Sequence, residues 1–296
     1  MRAVVVTRFG GPEVLREVEV EAPSPISTEV LVRVIAAGVN PVDLKTRRGE
    51  GVSRWVGKPP FILGWDVAGV VEAMGYGVTR FSIGDRVYGM PHFPRVAGAY
   101  SEYVAAPSGQ FARAPENISP VEAAALPLAA LTSWQSLVEA AHVSEGQTIL
   151  VHGARGGVGH LAIQLATNRG ASIVSTSGRG DRDALATRNA DVALDLVGGD
   201  DTLLLLDTLR PGGLLLAIAA GATDDVKGEA KRRSIRLVEP LVEPDGHALE
   251  QIARLIDAGE LKVNIAETFP LERAAAAHER LERGGLSGKL VLEVGS

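Results

Sequence analysis

Two periods of apolar residues divide the chain. Through the first hundred or so positions, valine-rich runs are broken by Gly, Pro and Asp: "AVVVT" (3–7), "EVLVRVIAAG" (29–38), "DVAGVVEAM" (66–74), "DRVYGM" (85–90) and "AYSEYVAAP" (99–107). Runs of this kind predict short β-strands, and their spacing predicts a small antiparallel barrel or sandwich. One stretch departs from the pattern. In "NPVDLKTRRG" (40–49), Asn40 can cap a helix, Pro41 suits its first position and Asp43 falls in its first turn, so a short helix is expected.

The texture changes near residue 120. "SPVEAAALPLAALTSWQSLVEAA" is rich in alanine and leucine and predicts helix, interrupted at Pro127. Apolar strands and amphipathic helices then alternate: "TILVHG", "GVGHLAIQLATNRG", "ASIVSTS", "DRDALATRN", "DVALDLVGG", "DDTLLLLDTLR" and "GLLLAIAA". Continuously apolar strands separated by helices mean a parallel sheet covered on both faces, a Rossmann-type doubly wound α/β domain. Helix "HALEQIARLIDAG" and strand "LKVNIA" are expected to finish that sheet, and "PLERAAAAHERLERGG" with "GKLVLEV" to return to the first domain. The expected division is residues 1–120 plus 266–296 for the β domain and 121–265 for the α/β domain.

Composition narrows the function. Of 296 residues, 46% are hydrophobic and 22% charged, as in a globular protein with a sizeable core, and the net charge of −6 argues against a nucleic-acid surface. There is no cysteine, so disulfides, thiolate nucleophiles and cysteine-ligated metals are excluded. The expectation is a soluble, cytoplasmic protein: the N-terminal apolar run is too short for a signal-peptide core, and "AAALPLAAL" is far short of a membrane span.

The chemistry concentrates in "HGARGGVGH" (152–160), between a predicted strand and a predicted helix. Glycines there allow a tight turn and let backbone N–H groups approach an anion at the positive end of a helix. The dinucleotide fingerprint G-x-G-x-x-G has Ala154 in its first position and Gly156 and Gly159 in the others, with Gly153 and Gly157 added. Together with Arg155 and Val158 these residues are read as a pyrophosphate cradle. No Gly-Lys-Ser/Thr follows, so it is not a Walker loop; His152 and His160 lack a third ligand nearby, so a metal is not expected. The second strand ends "VSTSGRG", with Ser175, Ser177 and Arg179 where an NAD site would carry a carboxylate. Hydroxyls and a guanidinium suit a 2′-phosphate, which predicts NADPH.

"VLVRVIAAGVNPVDLKTRRG", "ILGWDVAGVVEAMGYGVTRFSIGDRVYGM", "AAALPLAALTSWQSL", the glycine loop, "DLVGGD" and "SGKLVLEV" together resemble the zinc-independent, quinone oxidoreductase-like branch of the medium-chain dehydrogenases/reductases. The resemblance spans nearly the whole chain and implies a GroES-like catalytic barrel beside the Rossmann domain. Zinc-dependent relatives carry Gly-His-Glu where this chain has Gly64-Trp65-Asp66. It implies metal-free hydride transfer from NADPH to a quinone or an α,β-unsaturated carbonyl, by an enzyme that forms a homodimer through a sheet edge. It also implies catalytic roles for Asn40, Asp43 and Lys45, with Lys45 stabilising developing oxyanion charge. Thr132, Ala219, Ala220, Leu241 and Val242 are implied as cofactor contacts, Trp65 and Met90 as pocket walls, and Lys289 as the family's C-terminal Gly-Lys. Two other functions stay open: an enoyl-type reductase of carrier- or CoA-linked substrates, and a nucleotide-binding relative without turnover.

One departure bears on the cofactor domain. Relatives have a further strand and helix after the second strand; here the chain runs straight on, with the gap near Ala186 and Thr187. Either one short helix carries the chain to the next strand, or the sequence omits residues of that region.

Overall fold

The structure, a computed structural model, describes residues 1–176, 189–219 and 221–295. The chain separates into two compact units: Met1–Leu131, Glu243–Gly259 and Val263–Ser296 form the first, Thr132–Val242 and Glu260–Lys262 the second.

The first unit opens with β1 (Arg2–Val6), β2 (Leu15–Glu19) and β3 (Glu29–Val39), followed by α1 (Pro41–Arg47) and α2 (Ser53–Val56). Strands β4 (Phe61–Ile62), β5 (Asp66–Met74), β6 (Arg86–Gly89), β7 (Tyr103–Pro107) and β8 (Phe111–Arg113) follow. Helix α3 (Pro120–Ala124) and helix α4 (Pro127–Trp134) are separated at Pro127, as that proline predicts. α3 starts on a capping box: Ser119 Oγ accepts from the Glu122 N–H, and Glu122 accepts from the Ser119 N–H.

In the second unit β9 (Thr148–His152), α5 (Gly159–Asn168), β10 (Ser172–Thr176), β11 (Ala190–Asp195), α6 (Asp201–Thr208), β12 (Leu209–Ala217), α7 (Asp224–Arg232) and β13 (Arg236–Val238) follow in turn. Its sheet is parallel throughout, in the order β10-β9-β11-β12-β13. Consecutive residues serve opposite faces. Ile149, Val151, Leu194 and Leu216 pack with Ala162 and Ala166 of α5, whereas Leu150, Ala193 and Leu215 pack with Leu205 of α6 and Val226 of α7. That double burial explains why the strands read as unbroken apolar runs. The order matches a six-stranded Rossmann sheet (3-2-1-4-5-6) with its third strand lacking among the described residues. α7 and β13 have weak apolar patterns and are not foreseen in the sequence; Thr223 starts α7 by accepting from the Val226 N–H.

The chain then returns to the first unit through α8 (Gly246–Asp257), β14 (Ile265–Pro270), α9 (Ala274–Glu282) and β15 (Lys289–Glu293). α8 does not extend the parallel sheet as expected. It packs against β8, with Tyr88 Oη donating to Leu249 O at 2.6 Å, and a Cβ on Gly246 would lie 2.4 Å from Phe111 O. Nor does 265–270 extend that sheet; β14 pairs with β15, which pairs antiparallel with β3. The larger sheet of this unit runs β14-β15-β3-β5-β6-β8, with β7 also on β3, and a smaller one runs β2-β1-β4. No helix among the described residues is long and apolar enough to cross a membrane.

Candidate active site

In the second unit the glycine loop leaves the carboxyl end of β9. Gly153 takes a φ of +96°, open to glycine at little cost, and reverses the chain. The turn is pinned by Ala154 N–H to Thr176 O (3.0 Å) and Gly156 N–H to Gly153 O (3.1 Å). Gly159 begins α5 pressed on the start of the loop: a Cβ there would lie 2.3 Å from Gly153 O and 2.8 Å from Ala154 Cα. At Gly156 the nearest atom to such a Cβ is Gly153 O at 3.4 Å, and Arg155 and Gly156 are exposed. The loop is therefore tight on its protein side and bare at its outer edge, at a helix N-terminus where Val158 supplies no side-chain cap. These features fit a dinucleotide's pyrophosphate, which needs backbone N–H donors and no side chain in its way.

Around the cradle, Ser175 is exposed near the end of β10, while Thr176 is buried with Oγ1 2.6 Å from His152 Nδ1. His152 Nε2 faces Asp201 Oδ2 at 3.5 Å, and His160 Nδ1 lies 3.0 Å from Gly156 O. Asp195 of "DLVGGD" is structural: its Oδ1 accepts from the N–H groups of Val197 (3.0 Å) and Gly198 (2.9 Å), and its Oδ2 accepts from Thr202 Oγ1 (2.6 Å). Thr132 is buried in α4, Ala219 follows β12, and Leu241 and Val242 follow β13, Leu241 well exposed. Ser177, Arg179 and Ala220 lie outside the described residues, as does the gap near Ala186 and Thr187.

In the first unit the site residues gather where β3 hands the chain to α1. Asn40 occupies the cap position in an extended conformation, and its N–H donates to Asp43 Oδ2 at 2.7 Å. Its side chain turns inward: Nδ2 donates to Asp66 Oδ2 (2.8 Å) and Oδ1 accepts from Lys289 Nζ. Lys289 also pairs with Asp66 at 3.4 Å, and Asp66 Oδ1 accepts from the Leu128 N–H at the start of α4 (2.7 Å). Gly38 makes room for this cluster, since a Cβ there would come within 2.7 Å of Asp66 Oδ2 and 2.5 Å of Ala124 O. The ammonium and carboxylate are both buried, so each depends on the other for its charge to be tolerated.

Asp43 is fully buried. Its Oδ2 also accepts from Tyr100 Oη at 3.1 Å, while Oδ1 has no hydrogen-bond partner. Burial, reinforced by the charge of Asp66, pushes its carboxyl up to about 7. Behind it, Tyr100 Oη lies 3.1 Å from His278 Nε2, and His278 Nδ1 lies 3.1 Å from Arg47 Nη1. Burial and the charges of Arg47 and Arg48 hold the imidazole down to about 3, so it is neutral. Arg47 is itself buried, pairs with Glu282 and donates Nε to Gly10 O (3.1 Å). Lys45 is half-buried on the same helix. Trp65 is buried, its indole N–H donating to Arg95 O at 2.7 Å and its ring edge-on to Phe93; Met90 is buried too.

Sequence reasoning picked out Asn40, Asp43 and Lys45 but missed Tyr100, His278 and Arg47. Their signal was slight, a tyrosine in a strand pattern and a histidine on an alanine-rich helix. Among the described residues no group of three or more His, Asp or Glu could hold a metal ion.

The comparisons with known proteins agree with this geometry. A family model described as "Alcohol dehydrogenase GroES-like domain" matches residues 27–116, and one described as "Zinc-binding dehydrogenase" matches 169–292. A quinone oxidoreductase of Pongo abelii is 32% identical over 99% of this chain and 97% of its own length. A 2-methylene-furan-3-one reductase of Solanum lycopersicum is 33% identical over 99% of this chain and 79% of its length. Among solved structures, the quinone oxidoreductase from Coxiella burnetii superposes with a TM-score of 0.90 at 33% identity, covering 99% of both chains. The Escherichia coli quinone oxidoreductase complexed with NADPH superposes at 0.87 and 27% identity, covering 99% of this chain and 100% of the other. The alignment with the Pongo protein spans 328 positions against the 296 residues here, so at least 32 positions of that protein have no counterpart in this chain.

A GroES-like unit joined to a parallel dinucleotide-type sheet defines a medium-chain dehydrogenase/reductase. Within that superfamily the chain belongs to the quinone oxidoreductase family.

Proposed function

We propose that the protein is an NADPH-dependent oxidoreductase that reduces quinones, or the C=C bond of α,β-unsaturated carbonyl compounds, without a metal. The observation that carries this reading is the turn at 153–159, which is closed on its protein side by Gly159 and bare at Gly156, in a chain of this family. Two related proteins point the same way, one complexed with NADPH and one a reductase of a conjugated enone. Absence of cysteine, and Trp65-Asp66 in place of His-Glu, support chemistry without zinc.

When bound, NADPH supplies the hydride. The protein's part is placement and charge stabilisation. The glycine turn and the N-terminus of α5 hold the diphosphate; Ser175, Ser177 and Arg179 take the 2′-phosphate; Thr132 and the segments at 219–220 and 241–242 bind the remainder. At an enone acceptor, hydride would form a C–H bond at the β-carbon. The C=C π pair would shift between the α-carbon and the carbonyl carbon, and the C=O π pair would move onto oxygen, to leave an enolate that takes a proton at the α-carbon. Lys45 steadies that oxygen, directly or through a ribose hydroxyl, until a solvent proton completes the product. Trp65 and Met90 back the acceptor pocket. A homodimer is proposed through β13, the outer strand of the described sheet opposite β10, and a reducing cytoplasm suits a cysteine-free chain.

The test is to mix the protein with NADPH and a short-chain enone or 1,4-benzoquinone and follow the nicotinamide absorbance. Oxidation dependent on acceptor is expected, with Lys45→Ala lowering kcat by roughly a hundredfold, the usual loss for one donor to a developing oxyanion. NADPH binding without oxidation across several acceptors would instead identify a nucleotide-binding relative lacking turnover.

A further inference from the structure

Helix α1 has only seven residues, too few to hold its own conformation or orientation. Something outside must fix its roll, and the structure shows what. Asp43 and Arg47 stand one turn apart and are both fully buried, on one face of the helix. Two side chains from distant parts of the chain bridge them: Tyr100 reaches Asp43, His278 reaches Arg47, and the two meet at 3.1 Å.

The direction of every hydrogen bond in this line follows from chemistry. A guanidinium only donates, so Arg47 gives a proton to His278 Nδ1. The neutral ring then carries its hydrogen on Nε2 and donates to Tyr100 Oη, whose own hydrogen goes to Asp43 Oδ2. With Asp43 ionised, no other arrangement of neutral imidazole and phenol satisfies all three contacts. Both ends are anchored beyond the bridge, Arg47 by Glu282 and the Gly10 carbonyl, Asp43 by the Asn40 N–H. Tyr100 is fixed as well: its backbone N–H bonds Leu63 O at 2.9 Å, and its ring lies over Gly64, where a Cβ would come within 2.3 Å of Cδ1. The tyrosine and histidine rings pack edge to face, centroids 5.8 Å apart.

At about 100° per residue, Asp43 and Arg47 lie about 40° apart around the helix, and Lys45 lies on the opposite side, about 160–200° from each. A bridge that fixes the inner face therefore aims the outer one. We propose that Tyr100 and His278 are positioning residues for Lys45: by tying Asp43 to Arg47 they set the roll of α1 and so the place of the Lys45 ammonium. This rests on the role given to Lys45 above. The two side chains touch neither acceptor nor cofactor in this scheme; they act through the helix.

The experiment is a double-mutant cycle on kcat with NADPH and an enone, comparing wild type, Tyr100→Phe, Lys45→Ala and the pair. Tyr100→Phe keeps the ring and removes one link; it should lower kcat about tenfold while the Kd for NADPH stays within about twofold. In the Lys45→Ala background it should add nothing, because the group being positioned is gone. If the two losses multiply, Tyr100 acts elsewhere and the positioning role is overturned while Lys45 stands. Full kcat in Tyr100→Phe overturns it equally. If Lys45→Ala alone retains kcat, the role of Lys45 falls and this inference with it. A second series guards against misfolding: His278→Gln places an acceptor and a donor on one planar group and should retain more kcat than His278→Leu at equal thermal stability. Equal kcat for the two variants would overturn the bridge.

Discussion

Two glycines of the cradle lie three residues apart, and the same substitution should fail differently at each. At Gly159 a methyl group would sit 2.3 Å from Gly153 O, 2.8 Å from Ala154 Cα and 2.9 Å from the Ala154 carbonyl carbon. All three are backbone atoms, so no rotamer change relieves the clash; the loop and the first turn of α5 must separate by several tenths of an ångström. Overpacking of this kind costs about 1–3 kcal/mol, and at about 2–4 °C per kcal/mol the unfolding midpoint of Gly159→Ala should drop by several degrees. At Gly156 the nearest protein atom is at ordinary contact distance, 3.4 Å, and φ is not positive. Gly156→Ala should therefore leave the free protein's midpoint unchanged. Its methyl would instead project into the proposed diphosphate site, where losing one or two close contacts, about 1.4–2.8 kcal/mol, should raise the Kd for NADPH about 10- to 100-fold. Differential scanning fluorimetry and calorimetric titration read the two effects separately. Wild-type affinity for NADPH in a folded Gly156→Ala variant would refute the cradle, and with it the assignment of cofactor to this loop.

Two other outcomes are expected. Arg179→Ala should cut the preference for NADPH over NADH by about tenfold or more, the worth of one charge-assisted contact to a phosphate; equal Kd ratios in variant and wild type would remove the 2′-phosphate role. Asp43 and His278 should give opposite signatures in stability against pH. Asp43 is raised from 3.8 to about 7, so the folded state holds its proton more tightly, and its contribution is full below 3.8 and lost as pH rises toward 7. His278 is lowered from 6.5 to about 3, so its contribution is full above 6.5 and lost as pH falls toward 3. In urea titrations at pH 4 and 6.5, wild type should gain on His278→Gln and lose ground to Asp43→Asn between the lower and the higher pH; slopes of the same sign would contradict one of the two burial arguments.

What the sequence revealed follows the range of the forces involved. The parallel sheet was legible because strands buried on both faces must be apolar throughout, and "TILVHG" and "DVALDLVGG" satisfy that requirement within themselves. The glycine turn was legible for the same reason: a φ of +96° at Gly153 and a contact between Gly159 and Gly153 are conditions imposed over seven residues. α8 was recognised as a helix but assigned to the wrong partner. Its apolar face specifies that it packs, not on what, and the choice is made by Tyr88 and Phe111, far away in the chain. α7 escaped because it is mostly charged; only its Thr223 cap marked its start.

The site shows the same division at a finer scale. Read along the chain, Asn40, Asp43 and Lys45 form one polar segment, and nothing in their spacing says which of them faces the substrate. Folded as a helix, the segment sorts them by period: Asn40 and Asp43 turn inward to Asp66, Lys289 and Tyr100, while Lys45 stands on the far side of the turn. The partners that enforce this sorting lie 57 residues from Asp43, 178 from Tyr100 and 231 from Arg47 along the sequence. No local pattern can carry such information. A buried carboxylate whose second oxygen finds no donor costs stability, and it persists here where it anchors the short helix that bears the proposed oxyanion donor. The expense of Asp43 is consistent with the role proposed for Lys45, which spacing alone could not assign: the inner face is held at a cost on a helix whose outer face carries that lysine.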